Sequence, residues 1–103
     1  MKLLISTCSP NEVDGIVKPL LEEKLVACVN VIAAVSSRYW WKDKIEKDTE
    51  SLLIMKTKPN LVGQLISRIK ELHSYEVPEV IILEIEKGNP DYLKWIGEVT
   101  KEC

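Results

Sequence analysis

The pattern of apolar and polar positions changes period several times along the chain, and each change marks an element. Short runs rich in Leu, Ile and Val predict strands, whereas apolar residues spaced at i, i+3, i+4 and i+7 predict amphipathic helices. The predicted strands cover residues 2–8, 26–41, 45–56 and 80–86, and the predicted helices begin near Pro10, Pro59 and Pro90. The order β-α-β-β-α-β plus a terminal helix predicts an α+β ferredoxin-like sandwich, in one domain of residues 1–103.

The predicted helix starts contain capping residues. Ser9 precedes Pro10 and lies three residues before Glu12, which is the spacing of a capping box. Asn89 is placed to cap the third helix in a similar way. Pro19 falls inside the first predicted helix, where its missing N–H predicts a kink or a carbonyl without its partner.

The second predicted strand is long and apolar for a strand at a sheet edge. Extended at about 3.3 Å per residue, residues 26–41 would reach roughly 50 Å, whereas the radius of gyration of such a domain is about 13 Å. Residues 26–37 contain no charge and no proline, and Tyr39, Trp40 and Trp41 follow near the tip. Either the hairpin overhangs and pairs with further copies in a closed oligomer, or it bends around its own helices. We favour the oligomer, because little other surface remains to cover these aromatic side chains.

Charge and composition argue against several partners. The chain has 14 Lys and Arg against 16 Asp and Glu, a net charge of −2, which disfavours bulk binding to nucleic acid or to anionic membranes. The predicted central strands, residues 2–8 and 52–56, lack the aromatic residues of RNA-binding sheets. We therefore expect no nucleic acid and no membrane partner. Ser6 and Thr7 interrupt the first apolar run, so we expect no signal peptide and a cytoplasmic location.

The single histidine is the main candidate for metal chemistry. His73 follows a predicted helix and precedes a loop with several acids, so it is either a base or metal ligand or a histidine at a helix C-terminus. The second alternative is the more common one. Cys8 or Cys28 with His73 would form a soft ligand set suited to copper or zinc, but both cysteines also fit small buried positions in strands. Cys103, the last residue, is expected to be an exposed thiol.

Three acidic residues alternate in the third predicted strand. Glu46, Asp48 and Glu50 therefore share one face of the strand. They could attract cations, or they could form a solvated face that pairs across the hairpin with Arg38 and Lys42. The second interpretation is favoured.

Several segments together resemble the CutA family of divalent-cation tolerance proteins. They are residues 25–30, 39–46, 54–57, 73–79 and 92–96. The Tyr-Trp-Trp and His-x-Tyr-x-x-Pro-Glu pieces are the most specific, and the resemblance extends over essentially the whole chain. It implies a homotrimer of ferredoxin-like subunits, similar in architecture to PII-type signalling proteins. It also implies a cytoplasmic role in tolerance of divalent metals, copper above all.

The resemblance further implies a metal site with a cysteine at the end of the first strand and a histidine at the helix-to-loop junction. His73 fills the histidine position, and Cys28 matches the family's Ala-Cys-Val-Asn segment. Thr7 stands at the cysteine position of some members, and Cys8 follows one residue later, where a strand side chain points to the other face. Leu72 stands where some members have a second histidine. We predict weakly bound copper or another divalent cation, with His73, Cys8 and Cys28 as candidate ligands.

Two functions compete at this point. The first is a non-enzymatic homotrimer that binds metal ions, and the second is a PII-like regulatory or scaffold trimer with a ligand or protein partner at clefts between subunits. The residues assigned to such a cleft are Trp41, Lys56, Tyr75, Glu76 and Glu79. A plainer alternative is that residues 75–79 only stabilise the trimer. An enzyme is not expected, because no catalytic constellation can be assembled.

Overall fold

Four strands and three α-helices follow one another in the predicted order. The structure is a computed structural model and describes residues 1–102, so the prediction for Cys103 lies outside the described residues. The strands are β1 (Lys2–Cys8), β2 (Cys28–Trp41), β3 (Lys44–Thr57) and β4 (Val80–Glu84), and the α-helices are α1 (Val13–Glu22), α2 (Val62–Leu72) and α3 (Pro90–Val99). All strand pairs are antiparallel, in the order β2-β3-β1-β4. The predicted ferredoxin-like fold with a long β2–β3 hairpin and a C-terminal helix is confirmed.

The core lies between one face of the sheet and the two helices α1 and α2. Alternate residues of the central strands point into it, because successive side chains of a strand face opposite sides. Leu4 of β1 and Leu53 of β3 are completely buried. The same layer contains buried residues from β3, α1 and α2, namely Met55, Ile16, Leu20, Leu65 and Ile69.

The other face of the sheet is also apolar, but it is only partly covered. Its residues include Leu3, Ile5, Leu52, Ile54, Ile81 and Leu83, as the strand register shows. Ile81 and Leu83 are 47% and 46% exposed. Helix α3 adjoins this face at one end, where Tyr92 reaches the thiol of Cys28. We call this surface the open face.

The β2–β3 hairpin extends beyond the rest of the fold. The chain, hairpin included, measures 44 Å along its longest axis and 25 and 21 Å along the other two. Lys42 and Asp43 form its turn with φ values of 49° and 64°, the left-handed conformation that two-residue hairpin turns require. An extra residue interrupts the register of β2 between Ile32 and Val35, which is a β-bulge. The hairpin is therefore both bent and overhanging.

Four predicted strand boundaries differ from the structure, since β3 is one residue longer at each end and β2 and β4 are each two residues shorter at one end. β2 begins at Cys28 instead of residue 26, and Val26 before it is a core residue that is 2% exposed. β4 ends at Glu84, two residues early. Within residues 1–102, no helix has the length and apolar content needed to cross a membrane.

The predicted capping box is also wrong. Ser9 makes no side-chain cap hydrogen bond, and residues 10–12 form a 3₁₀ turn before α1. The Glu12 carboxylate instead accepts a hydrogen bond from the Ser74 hydroxyl at 2.8 Å. The Asn89 cap is confirmed, since its side chain accepts from the backbone N–H of Asp91 at 3.1 Å. α1 continues through Pro19.

Candidate functional site

The loop after α2, residues 73–79, is attached to β1 by side-chain hydrogen bonds at both ends. His73 is 8% exposed, and its Nε2 donates to the carbonyl oxygen of Thr7 at 2.7 Å. Its Nδ1 accepts from the backbone N–H of Tyr75 at 3.1 Å. At the other end, the Ser6 hydroxyl donates to the carbonyl oxygen of Glu79 at 2.7 Å. Because Ser6 and Thr7 are adjacent in a central strand, the loop is held in one position over the sheet.

These contacts bear on the predicted metal ligands. Both ring nitrogens of His73 already make hydrogen bonds, so a metal ion would have to replace one of them. Burial raises the pKa of the Cys8 thiol to about 11, and the charges of Glu12 and Glu50 add to the rise. A thiol with such a pKa is protonated at neutral pH, whereas metal ligation needs the thiolate.

The two candidate cysteines are far apart. Cys8 pairs with Ser51 of β3, and Cys28 pairs with Lys56 of the same strand. Five residues of strand separate these partners, which corresponds to roughly 17 Å. Cys28 is half-buried and lies near the ammonium of Lys56, with 3.9 Å between Sγ and Nζ. The residues that the structure describes contain no group of three or more His, Cys, Asp or Glu arranged to hold a metal ion.

A cleft of about 680 Å³ opens between the loop and the hairpin. This volume falls within the range of small-molecule sites. Its lining residues are largely aromatic and acidic, namely Tyr39, Trp40, Trp41 and Tyr75, and Asp48, Glu50, Glu76 and Glu79. Arg38, Val77 and Pro78 line it as well. We call it the acidic–aromatic cleft.

Tyrosine hydroxyls are the observed partners of the two hairpin carboxylates in this cleft. Tyr75 donates to Oε2 of Glu50 at 2.8 Å, and Glu50 is only 5% exposed. Tyr39 donates to Oδ2 of Asp48. Burial, together with the bond to Glu50, raises the pKa of Tyr75 to about 12 against an opposing contact from Ser9. The bond to Asp48, reinforced by burial, raises the pKa of Tyr39 to about 12.

The favoured pairing of these acids with Arg38 and Lys42 is wrong. The register places Arg38 opposite Lys47, on the other face of the hairpin ribbon from Asp48. Lys42 lies in the turn, with its Nζ 5.7 Å from the ring centroid of Trp41. Neither Asp48 nor Glu50 forms an ion pair with any residue in the described part of the chain. The shared face of the acids is confirmed by their successive partners along β2.

Four of the five predicted cleft residues come together. Trp41, Tyr75, Glu76 and Glu79 all line the acidic–aromatic cleft. Lys56 does not, because it lies at the far end of β3, where its ammonium donates to the side-chain oxygen of Asn30. The sequence interpretation did not assign Tyr39, Asp48 and Glu50 to this cleft. Their alternation along the hairpin placed them on one face, but only the folded loop brings that face against Tyr75.

Comparison with known proteins identifies the family. Residues 2–99 match the family described as CutA1 divalent ion tolerance protein. The chain belongs to the CutA1 family. The protein CutA homolog of Xenopus laevis is 50% identical over 98 residues, which cover 93% of this chain and 64% of that protein. The divalent-cation tolerance protein CutA of Pyrococcus horikoshii is 42% identical over 102 residues, which cover 97% of this chain and 99% of that protein.

The lengths of these CutA1 relatives differ. The chain spans less than two thirds of the first ones, with 64% of the Xenopus protein and 54% of the Mus musculus protein CutA covered. The archaeal relative is covered almost completely.

Solved structures agree with this membership of the CutA1 family. The crystal structure of CutA1 from Pyrococcus horikoshii superposes with a TM-score of 0.94 at 41% identity, covering 99% of this chain and 100% of that one. The PII-like protein CutA from Nostoc, in its apo form, superposes with a TM-score of 0.90 at 34% identity, covering 96% and 97%. The resemblance inferred from five sequence segments is confirmed, and the fold is that of PII-like proteins.

Proposed function

We propose that the protein is a non-enzymatic, PII-like homotrimer that contributes to tolerance of divalent cations by binding a small ligand in the acidic–aromatic cleft. The observation that carries this proposal is the cleft itself, about 680 Å³ in volume, in whose lining Tyr75 is hydrogen-bonded to Glu50 and Tyr39 to Asp48. Its loop wall is fastened to a central strand through His73 and Glu79. Such preorganisation favours ligand binding, because little ordering remains to be done when the ligand arrives.

Self-association is supported by the open face and by the overhanging hairpin. Ile81 and Leu83 are half-exposed, and Trp40 and Ile45 are 72% and 68% exposed, so large apolar side chains remain open on both the open face and the hairpin. Sedimentation at micromolar concentration tests the assembly. We expect a species of three times the chain mass of 11.8 kDa. A stable single-chain species would contradict the trimer.

Divalent cations, copper included, belong to this proposal as weak ligands. A dedicated copper site of His73, Cys8 and Cys28 is disfavoured by the engaged imidazole and by the separation of the thiols. Calorimetric titration with Cu(I), Cu(II) and Zn(II) should show weak binding that is unchanged in Cys8→Ala and His73→Gln. Micromolar copper binding that both substitutions abolish would instead establish the Cys8–His73 site.

Ligand binding at the cleft and location in the cell can be tested separately. A thermal-shift screen of small ligands should find compounds that raise the unfolding temperature, since a ligand that binds only the folded state stabilises it by mass action. Cell fractionation should recover the protein in the cytoplasm.

A further inference from the structure

The chemistry of the acidic–aromatic cleft also identifies a class of ligand. We propose that the cleft binds an organic cation of the ammonium type, held between aromatic ring faces and the carboxylates of Asp48 and Glu50. This inference rests on the proposed role of the cleft as a ligand site, and it adds the nature of the ligand.

The charge of the lining favours a cation. Four acidic residues line the cleft, whereas the basic lining residue Arg38 points to the other face of the hairpin ribbon from Asp48. Glu50 is 5% exposed and receives its hydrogen bond from the neutral hydroxyl of Tyr75. A carboxylate with a neutral partner and little solvent around it keeps most of its negative potential, because screening by water is reduced. That potential attracts a positive ligand and repels an anionic one.

The aromatic rings offer a second kind of contact to the same ligand. The ring face of an indole or phenol attracts a cation within about 6 Å of its centroid. Trp41 already makes such a contact, since the ammonium of Lys42 lies 5.7 Å from its centroid. The ring is therefore accessible to a cation in this structure. Tyr39 and Tyr75 supply further rings around the cleft, whereas Trp40 pairs with Ile45 and faces the other side of the ribbon.

The same features discriminate against a hard metal ion. Mg²⁺ and Ca²⁺ need about six to eight oxygen ligands at short distance, and ring faces supply none. Tyr39 and Tyr75 also occupy acceptor positions on Asp48 and Glu50. A weakly hydrated alkylammonium needs no such coordination shell, and it gains from both the rings and the negative potential. The cleft thus suits an organic cation better than a divalent metal.

Choline is a suitable probe, because 3,3-dimethylbutan-1-ol has the same shape without the charge. Calorimetric titration of the intact protein, with its assembly state checked by sedimentation, should detect choline and show the alcohol binding at least about tenfold more weakly. Equal binding of the two probes would overturn the cation proposal but leave the cleft as a ligand site. If a trimer binds neither probe, a neighbouring copy or another occupant fills the cleft, and the proposal is wrong. A single-chain species would contradict the proposed function itself.

Two matched substitutions in the hairpin locate the site. Asp48→Asn removes a carboxylate from the cleft lining, whereas Asp43→Asn removes the same charge from the turn, where Asn tolerates the left-handed backbone. We expect choline affinity to fall about tenfold in the first variant and to stay unchanged in the second. Equal losses would mean a general effect of net charge and would overturn the assignment.

A third substitution tests the aromatic contact and is expected to raise choline affinity instead of lowering it. Lys42→Asn removes the ammonium that now lies over Trp41 and keeps a residue suited to a φ of 49°. Choline affinity should rise about twofold or more, because a competing cation is gone. A loss of affinity would show that the Trp41 ring does not take part.

Discussion

The two faces of the sheet have similar apolar composition but different surroundings. Leu53 points towards α1 and α2 and is completely buried, whereas its neighbour Ile54 points to the open face and is only half-buried. The same contrast holds in β1 between Leu4 and Ile5. The first face is completed by the chain's own helices. The second is left partly exposed, and the proposed trimer would complete it with further copies of the chain.

This difference separates two kinds of stability. Contacts in the helix-covered core belong to each subunit, whereas contacts across the open face depend on protein concentration. Substituting Leu53 should therefore lower the stability of each subunit, whereas substituting its neighbour Ile54 should weaken the oligomer.

The largest expected effect follows from a cavity in the covered core. Leu53→Ala should lower the free energy of unfolding by about 2–5 kcal/mol, because the packed layer closes only partly around a lost side chain. Urea denaturation measures this loss, and sedimentation should still show the oligomer. A loss below about 1 kcal/mol would mean that the core repacks freely.

The next effect concerns assembly. Ile54→Lys puts a charge on the open face, and burying an unpaired charge costs several kcal/mol, so the dissociation constant of the oligomer should rise at least about a hundredfold. Leu21→Lys, at a 41% exposed position on α1, is the matched control and should leave the oligomer intact. Concentration-dependent sedimentation compares them. If both variants stay assembled, the open face is not the interface.

A smaller effect is expected between the loop and the hairpin. Tyr75→Phe leaves the buried carboxylate of Glu50 without its donor and should lower the free energy of unfolding by about 1–3 kcal/mol. Tyr92→Phe, which removes a hydroxyl at a 40% exposed position beside the weakly accepting thiol of Cys28, should change it by less than about 0.5 kcal/mol. Urea denaturation at pH 7 measures both, and similar values for the two would contradict the role of the Tyr75 bond.

The same hydroxyl predicts a dependence on high pH. The pKa of Tyr75 is raised from 10 to about 12, so the protonated form is the one that the fold stabilises. Its contribution is complete below pH 10 and is lost as the pH rises towards 12. The difference between wild type and Tyr75→Phe should therefore shrink over this interval in a urea series.

The smallest effect lies on the helical surface. Arg68 donates hydrogen bonds to Glu23 and lowers the pKa of that carboxyl below its ordinary value of 4.5. Its contribution to stability is therefore present above pH 4.5 and is lost as the pH falls through the lower value. Arg68→Gln should shift the urea midpoint slightly at pH 7 and less at a pH below that lowered value. Lys18→Gln serves as the control for a lost surface charge and should show no comparable difference between the two pH values.

Periodicity alone predicted most of the fold. Strand and helix order and the cap at Asn89 depend on neighbours in sequence, so local patterns were enough. The Ser9 capping box failed because distant residues offered competing partners. The Ser9 hydroxyl lies 3.4 Å from the Tyr75 hydroxyl, and the Glu12 carboxylate accepts a hydrogen bond from Ser74.

The site was less predictable, for a physical reason. His73, Tyr75 and Glu79 were identified from their loop, but the partner of each lies in a strand far along the chain. Lys56 was assigned to the cleft although it lies at the other end of β3. Such long-range hydrogen bonds depend on where the loop packs against the sheet, and the spacing of residues in the sequence does not determine that position.

The bulge in β2 exchanges the two sides of the strand for every residue that follows it. Asn30 and Ile32 share a side of the ribbon with each other, but after the extra residue the same side is taken by Ser37, Tyr39 and Trp41. Deleting Ala34 would restore strict alternation and bring Trp40 to the side now held by its two aromatic neighbours. A single residue at this point therefore decides which aromatic side chains meet the acids opposite, and a family member could exchange one recognition surface for another without changing any side chain near the tip.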